Sequence, residues 1–180
     1  MKTYVALLRA VNVAGTQSIA MAALRDVPPA LGYATVATVL QSGNLVFAGV
    51  AKPSADLERR LEDEVAARFG HRTDIIVRDA AAWDVVVAGN PFLAEARDDP
   101  ARFVAVCSKS APVKDAQARL NAAIVGRERA HVAAGVAYVV YPDGQGSSKL
   151  TLAKIEKALG TSATARNWNT VLKVQALLRG

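Results

Sequence analysis

Residues that could hold an anion are concentrated in one short segment, residues 143–150, which reads DGQGSSKL. Two glycines would let the backbone approach a ligand closely, two serines offer hydroxyl donors, and a lysine supplies a positive charge. These residues are Gly144, Gly146, Ser147, Ser148 and Lys149. The segment lacks the G-x-x-x-x-G-K-[ST] spacing of a Walker A loop, so it predicts a phosphate or carboxylate site of another kind. A glycine-rich turn whose serine caps the next helix is the alternative interpretation.

A second group of polar residues lies in the N-terminal half and includes several amide side chains. Its members, called the amide cluster below, are Arg9, Asn12, Gly15, Gln41, Ser42 and Asn44. These side chains could bind a ligand if the fold brings them together. Asparagine, glycine and serine also fill tight turns for backbone reasons, so turn formation is the competing interpretation.

Residues for hydrolytic chemistry are scarce. That chemistry requires paired carboxylates, a nucleophile beside a histidine, or a metal. The motif segments contain one acid, Asp143, and no histidine, while Cys107 lies in an apolar stretch. His71 and His131 are far apart and lack the spacing of metal ligands, so the sequence predicts no metal and no cofactor. Catalysis by positioning and charge is still compatible with the sequence, which leaves open whether the protein is an enzyme.

The charge of the chain favours anionic partners. The 180 residues carry a formal net charge of +6, and the residues after Asp143 contain six cations and one anion. Such a balance suits nucleotides, nucleic acid or anionic surfaces, although it also simply keeps a domain soluble. A single cysteine and the absence of a long apolar run predict a cytoplasmic protein without a membrane span. The oligomeric state is not predicted.

The elements that must position these residues occur in the order βαββαβ twice. The first half is expected to have strands at 4–11, 35–40, 45–48 and 74–78 and helices at 21–31 and 56–69. A bridging helix capped by Asp79 and a polar connector at 95–102 should follow. The second half is expected to have strands at 103–107, 130–133, 136–141 and 163–166 and helices at 114–124, 150–159 and 168–178.

This order predicts an α+β fold of two ferredoxin-like (α/β-plait) subdomains, each with a four-stranded antiparallel sheet. The expected divisions are residues 1–79, a bridging segment at 80–101, and residues 102–180 with a terminal helix. One larger mixed sheet is the alternative. In such a plait the third and fourth strands of the second half end at the same sheet edge. That topology would place Arg166, Asn167 and Trp168 beside DGQGSSKL, with two helix N-termini facing one region.

Five segments together resemble one bacterial family, the domain of unknown function 1697. They are LLRAVNVAG at 7–15, LQSGNLVF at 40–47, NPF at 90–92, DGQGSSKL, and ATARNWNTVLK at 163–173. The resemblance extends over essentially the whole chain and implies two α/β-plait subdomains, but no established activity. Ala10 and Ala14 stand where the family usually has glycine, and Pro28-Pro29 interrupts the first helix. If those glycines admit a ligand, binding at that loop would be weakened here.

Three functions are compatible with these observations. The first is binding of a small phosphorylated or carboxylated ligand near a cleft between the two halves. The second is nucleic-acid binding by the basic C-terminal half, although the strand at 45–48 lacks the aromatic pattern of an RNA-recognition motif. The third is a protein-interaction module.

Overall fold

The computed structural model describes residues 1–10, 19–39 and 43–180. The chain forms two compact units. Unit 1 comprises Met1–Asp84 with Lys173–Gly180, and unit 2 comprises Val85–Leu172.

Unit 1 contains a four-stranded antiparallel sheet in the order β2-β3-β1-β4. The strands are β1 (Lys2–Leu8), β2 (Ala34–Val39), β3 (Asn44–Gly49) and β4 (Ile75–Asp79), and the helices are α1 (Met21–Leu24), α2 (Val27–Ala30) and α3 (Ser54–Phe69). Alternate residues of the strands pack with one face of α3, where Leu57, Leu61 and Val65 are buried at four-residue spacing. Helix α3 ends at Gly70, which adopts a left-handed conformation with φ of 74°.

Unit 2 contains a second antiparallel sheet, in the order β6-β7-β5-β8. Its strands are β5 (Phe103–Ser108), β6 (Arg129–Ala133), β7 (Val136–Val140) and β8 (Ala163–Asn167), and its helices are α5 (Leu93–Asp98), α6 (Ala116–Ala123) and α7 (Leu152–Leu159). Ala134 and Gly135 turn the β6–β7 hairpin with φ values of 50° and 75°. Two further helices, α4 (Ala80–Ala88) and α8 (Trp168–Arg179), contribute residues to both units.

The prediction of an α+β fold with two four-stranded antiparallel sheets is confirmed. Two local predictions are wrong, and a third is right in part. The expected interruption of the helix at 21–31 is present, but it comes before the prolines: α1 ends at Leu24, and Pro28 and Pro29 lie in the first turn of α2, where their missing N–H groups cost nothing. The connector at 95–102 contains α5 and a 3-10 turn at Pro100–Arg102, and the first strand ends at Leu8.

Within residues 1–10, 19–39 and 43–180, no helix is long and apolar enough to cross a membrane.

Candidate functional site

The hydroxyl groups of DGQGSSKL are hydrogen-bonded within unit 2. Residues Gln145–Ser147 form a 3-10 turn, and Ser147 Oγ donates to the backbone oxygen of Asp143 at 2.8 Å. Ser148 Oγ donates to the carboxylate of Glu128 and accepts from the Leu150 N–H at 3.0 Å. The cap of α7 is Thr151, whose Oγ1 accepts from the Lys154 N–H at 3.4 Å. Helix α7 begins at Leu152, directly after this segment, but the alternative interpretation in which one of the segment's serines caps that helix is wrong.

The charges around this segment are mixed. The Arg127 guanidinium donates to the Asp143 carboxylate, with an Nε–Oδ2 distance of 3.0 Å, and holds the pKa of Asp143 below its usual value. The hydrogen bond from Ser148 lowers the pKa of Glu128. A pocket of about 280 Å³ beside these groups is lined by Val125, Gly126, Glu128, Asp143, Ser147, Ser148 and the exposed Lys149. Two ionised carboxylates in this lining oppose an approaching anion.

The carboxyl ends of β7 and β8 lie at the same edge of the sheet, as predicted. Val140 pairs with Phe103, and Asn167 pairs with Val104, the next residue of β5. Asn167 Oδ1 accepts from the backbone N–H and the hydroxyl of Thr170, both at 2.9 Å, so Asn167 caps the N-terminus of α8.

Arg166 and Trp168 are both buried. Arg166 is 7% exposed, and its Nη1 donates to Thr164 Oγ1 at 2.7 Å and to the Ala165 oxygen at 2.8 Å. Burial lowers the pKa of Arg166 to about 10. Trp168 is 5% exposed and packs edge-on against Phe103, with 5.2 Å between the ring centroids. The two predicted cations therefore lie in different environments, Lys149 in solvent and Arg166 in the interior. Anion binding by this set of residues stays a prediction.

Only two members of the amide cluster lie in the described residues. Asn44 is buried, pairs with Leu7 in the sheet, and donates through Nδ2 to the Val39 oxygen at 2.9 Å. The backbone oxygen of Arg9 accepts from Thr73 Oγ1 at 2.6 Å. Asn12, Gly15, Gln41 and Ser42 lie outside the described residues, so ligand binding by this cluster stays a prediction.

Ala10 explains one departure from the family pattern. Its φ of 51° lies in the left-handed region, where a β-carbon costs roughly 1–2 kcal/mol. A glycine at this position, which the resemblance implies for the family, would adopt the same conformation without that cost, so it would have a backbone role there.

A different surface of unit 2 combines a cavity with an excess of positive charge. A groove of about 490 Å³ lies between helices α6 and α7 and is called the α6/α7 groove below. Alanines form much of its wall, because their short side chains do not fill the space between two packed helices. The lining residues are Arg119, Ala122, Ala123, Val125, Lys154, Lys157 and Ala158.

The cations of this groove come from both helices. Lys154 and Lys157 are three residues apart on α7, so they share one side of the helix, and both are exposed. Neither lysine has an ion-pair partner among the residues that the structure describes. Arg119 on α6 contacts Asp115 through Nε at 2.8 Å, which leaves its other N–H groups available. The lining contains no carboxylate.

Sequence reasoning missed this groove, although part of its signal was present. The excess of cations after Asp143 included both lysines, and their spacing on a helix was readable. The sequence alone does not show that the alanines of α6 lie opposite these lysines, because this depends on how α6 packs against α7. Elsewhere in the described chain, no group of three or more His, Cys, Asp or Glu side chains could hold a metal ion.

Comparisons with known proteins agree with the fold and the resemblance. A solved structure of a conserved bacterial protein from Streptococcus pneumoniae is 21% identical to this chain, covers 98% of both chains, and superimposes with a TM-score of 0.76. This likeness shows the fold alone. No curated protein sequence matches the chain. A sequence model of a family described as "protein of unknown function (DUF1697)" matches residues 1–138, which excludes DGQGSSKL and the ATARNWNTVLK segment. Since the match covers more than half of the 180 residues, this chain belongs to the DUF1697 family.

Proposed function

We propose that this protein binds a small phosphorylated or carboxylated ligand with an apolar body in the α6/α7 groove. The observation that carries the proposal is the set of three cations around an apolar wall with no carboxylate in the lining. The volume, about 490 Å³, falls within the range of roughly 300–1,000 Å³ that small-molecule sites occupy. The proposal rests on unit 2 alone.

The groove suits a ligand with two chemically distinct parts. Ala122, Ala123 and Ala158 offer apolar surface to a hydrocarbon or ring, while Lys154 and Lys157 offer charges to an anionic group. Each lysine is exposed, so each contact with an anion is screened by water and should contribute only about 0.2–1 kcal/mol. Affinity in the micromolar to millimolar range is therefore expected, with the apolar body supplying much of the free energy.

A thermal-shift screen identifies the ligand class. Nucleotides, phosphorylated sugars, acyl phosphates and short carboxylates are compared, because a compound that binds only the native state must raise the melting temperature. The best compound is then titrated calorimetrically into the parent and into variants. Replacement of both lysines by alanine should weaken binding by about tenfold, the sum of two exposed contacts.

Two variants with the same charge change serve as controls. Lys173→Ala removes an exposed cation of unit 1, and Lys149→Ala removes the exposed cation of the DGQGSSKL segment. Both should bind as the parent does. A loss confined to Lys149→Ala would move the site to that segment. Stronger binding of an oligonucleotide than of any small anion, lost in the Lys154 and Lys157 variants, would assign the groove to nucleic acid and overturn the proposal.

A further inference from the structure

We infer that unit 1 carries a second, separate site for a compact phosphate-like anion, formed by Lys52 and Arg60. A pocket of about 400 Å³ lies beside the end of α2 and the second turn of α3. Its lining residues are Leu31, Gly32, Tyr33, Val50, Lys52 and Arg60. Two of these six residues are cations and none is an acid.

The walls of this pocket are held in place by buried groups. Tyr33 is 6% exposed, and its hydroxyl donates to the Val50 oxygen at 3.3 Å. The ring also lies against Gly49, where an added β-carbon would come within 2.3 Å of Tyr33 Cδ1. Glycine at this position therefore allows the tyrosine to form a fixed wall.

The backbone of Lys52 and the guanidinium of Arg60 are held in place as well. The backbone N–H of Lys52 donates to the hydroxyl of the buried Tyr4 at 3.0 Å, and that hydroxyl donates to the Lys52 oxygen at 3.2 Å. Arg60 Nη2 donates to the Leu31 oxygen at 3.2 Å, which positions the guanidinium beside α2. A carbonyl neutralises no charge, so the guanidinium keeps its full charge and most of its donors for a ligand.

Most other cations of unit 1 are already paired with acids, and Arg25 and Lys173, which have no ion-pair partner among the residues described, do not line this pocket. Lys2, Arg59, Arg68, Arg72, Arg78 and Arg179 each have a carboxylate partner within unit 1. Lys52 and Arg60 have none among the residues described. An anion in their pocket would meet two positive charges without displacing any existing ion pair, which is the chemistry of a phosphate or a phosphate monoester.

The test is an amide chemical-shift titration of the full chain with inorganic phosphate and pyrophosphate, using chloride at matched ionic strength as the reference. The amides of Gly32, Val50 and Lys52 should shift with phosphate and not with chloride. Arg60→Gln and Lys52→Ala should each weaken binding by about three- to fivefold, the range expected for a single exposed charge. The same spectra report whether each variant is folded.

Arg59→Gln is the matched control. Arg59 precedes Arg60 on α3, pairs with Asp56, and does not line the pocket. Its replacement makes the same charge change about 100° around the helix and should leave phosphate binding unchanged. Equal weakening by Arg59→Gln and Arg60→Gln, or the same shifts with chloride, would overturn the inference. Variants of Lys154 and Lys157 should leave these shifts unaltered, so the two proposed sites succeed or fail independently.

Discussion

Replacing Glu62 by alanine should remove one of the two hydrogen bonds that link helix α3 to the open edge of the sheet. Strand β4 is an edge strand, and the N–H groups of Ile75 and Val77 have carboxylate partners from α3 in place of a strand neighbour. Glu62 Oε1 accepts from the Ile75 N–H, and Glu58 Oε1 from the Val77 N–H, both at 2.9 Å. The four-residue spacing of the two glutamates along the helix thus satisfies donors two residues apart along the strand.

The size of the effect follows from burial and charge. Glu62 is only 6% exposed, so water does not compete freely for its carboxylate. A hydrogen bond to a charged group contributes roughly 1.5–3 kcal/mol, and Glu62→Ala should lower the free energy of unfolding by about that amount. Glu62→Gln should lose less, about 0.5–1.5 kcal/mol, because an amide oxygen can still accept from the Ile75 N–H.

Denaturant unfolding combined with amide hydrogen exchange checks this prediction locally. The Ile75 amide should lose protection in Glu62→Ala while the Val77 amide keeps most of its own, and Glu58→Ala should show the reverse. Asp63→Ala is the control, because Asp63 is 67% exposed and pairs with Arg72 at 2.7 Å. That surface pair should contribute no more than about 0.5 kcal/mol. If Glu62→Ala and Asp63→Ala had equal effects and Ile75 kept its protection, the edge-closing role would be refuted.

Three further perturbations test other contacts. Tyr138→Phe should destabilise the protein by about 1–2 kcal/mol in denaturant unfolding, because the buried hydroxyl donates to the Val86 oxygen at 2.7 Å and its loss leaves that carbonyl unpaired. Gly160→Ala should cost more than Gly70→Ala in the same assay: both glycines have positive φ, but only at Gly160 would the β-carbon meet a neighbour, Val113 Cγ1, at 2.6 Å. The N–H of Ala82 and the ammonium of Lys2 lower the pKa of Asp79 below 3.8 in the folded state, so its contribution is complete above the unfolded pKa and is lost as pH falls through the folded value. Urea unfolding measured from about pH 6 down to pH 2 should therefore show a shallower acid loss of stability for Asp79→Ala than for the parent.

Local sequence rules predicted the elements well because those rules act over a few residues. Asp79 accepts from the Ala82 N–H at 2.9 Å, as expected of a cap. Gly160 closes α7 in a left-handed conformation, and Ala134 with Gly135 turns the hairpin. In each case the chemistry that fixes the backbone lies within four residues of the position it controls.

Predictions that depended on tertiary packing were less successful. An acid in an amphipathic helix usually faces water, so the roles of Glu58 and Glu62 required knowledge of which strand edge lies beneath α3. Arg166 is a second example. The predicted topology correctly placed its backbone at the sheet edge where β7 and β8 end, but no local sequence feature indicated that its guanidinium would be buried. Residue type shows which chemical groups a segment contains, while tertiary packing determines whether those side chains face the interior or the solvent.

DGQGSSKL and the α6/α7 groove differ in how many of their polar groups are already bonded within the folded chain. The segment contains many donors, yet its serines bond to Asp143, Gly144 and Glu128, and its acid is paired with Arg127. A group that is already bonded must exchange one partner for another when a ligand arrives, so its net contribution to binding is small. Lys154 and Lys157 break no ion pair when they meet an anion, and the alanines beside them lose only water. We therefore propose the groove, whose lysines have no ion-pair partner among the described residues, as the ligand site, because binding there exchanges fewer existing bonds than binding at DGQGSSKL would.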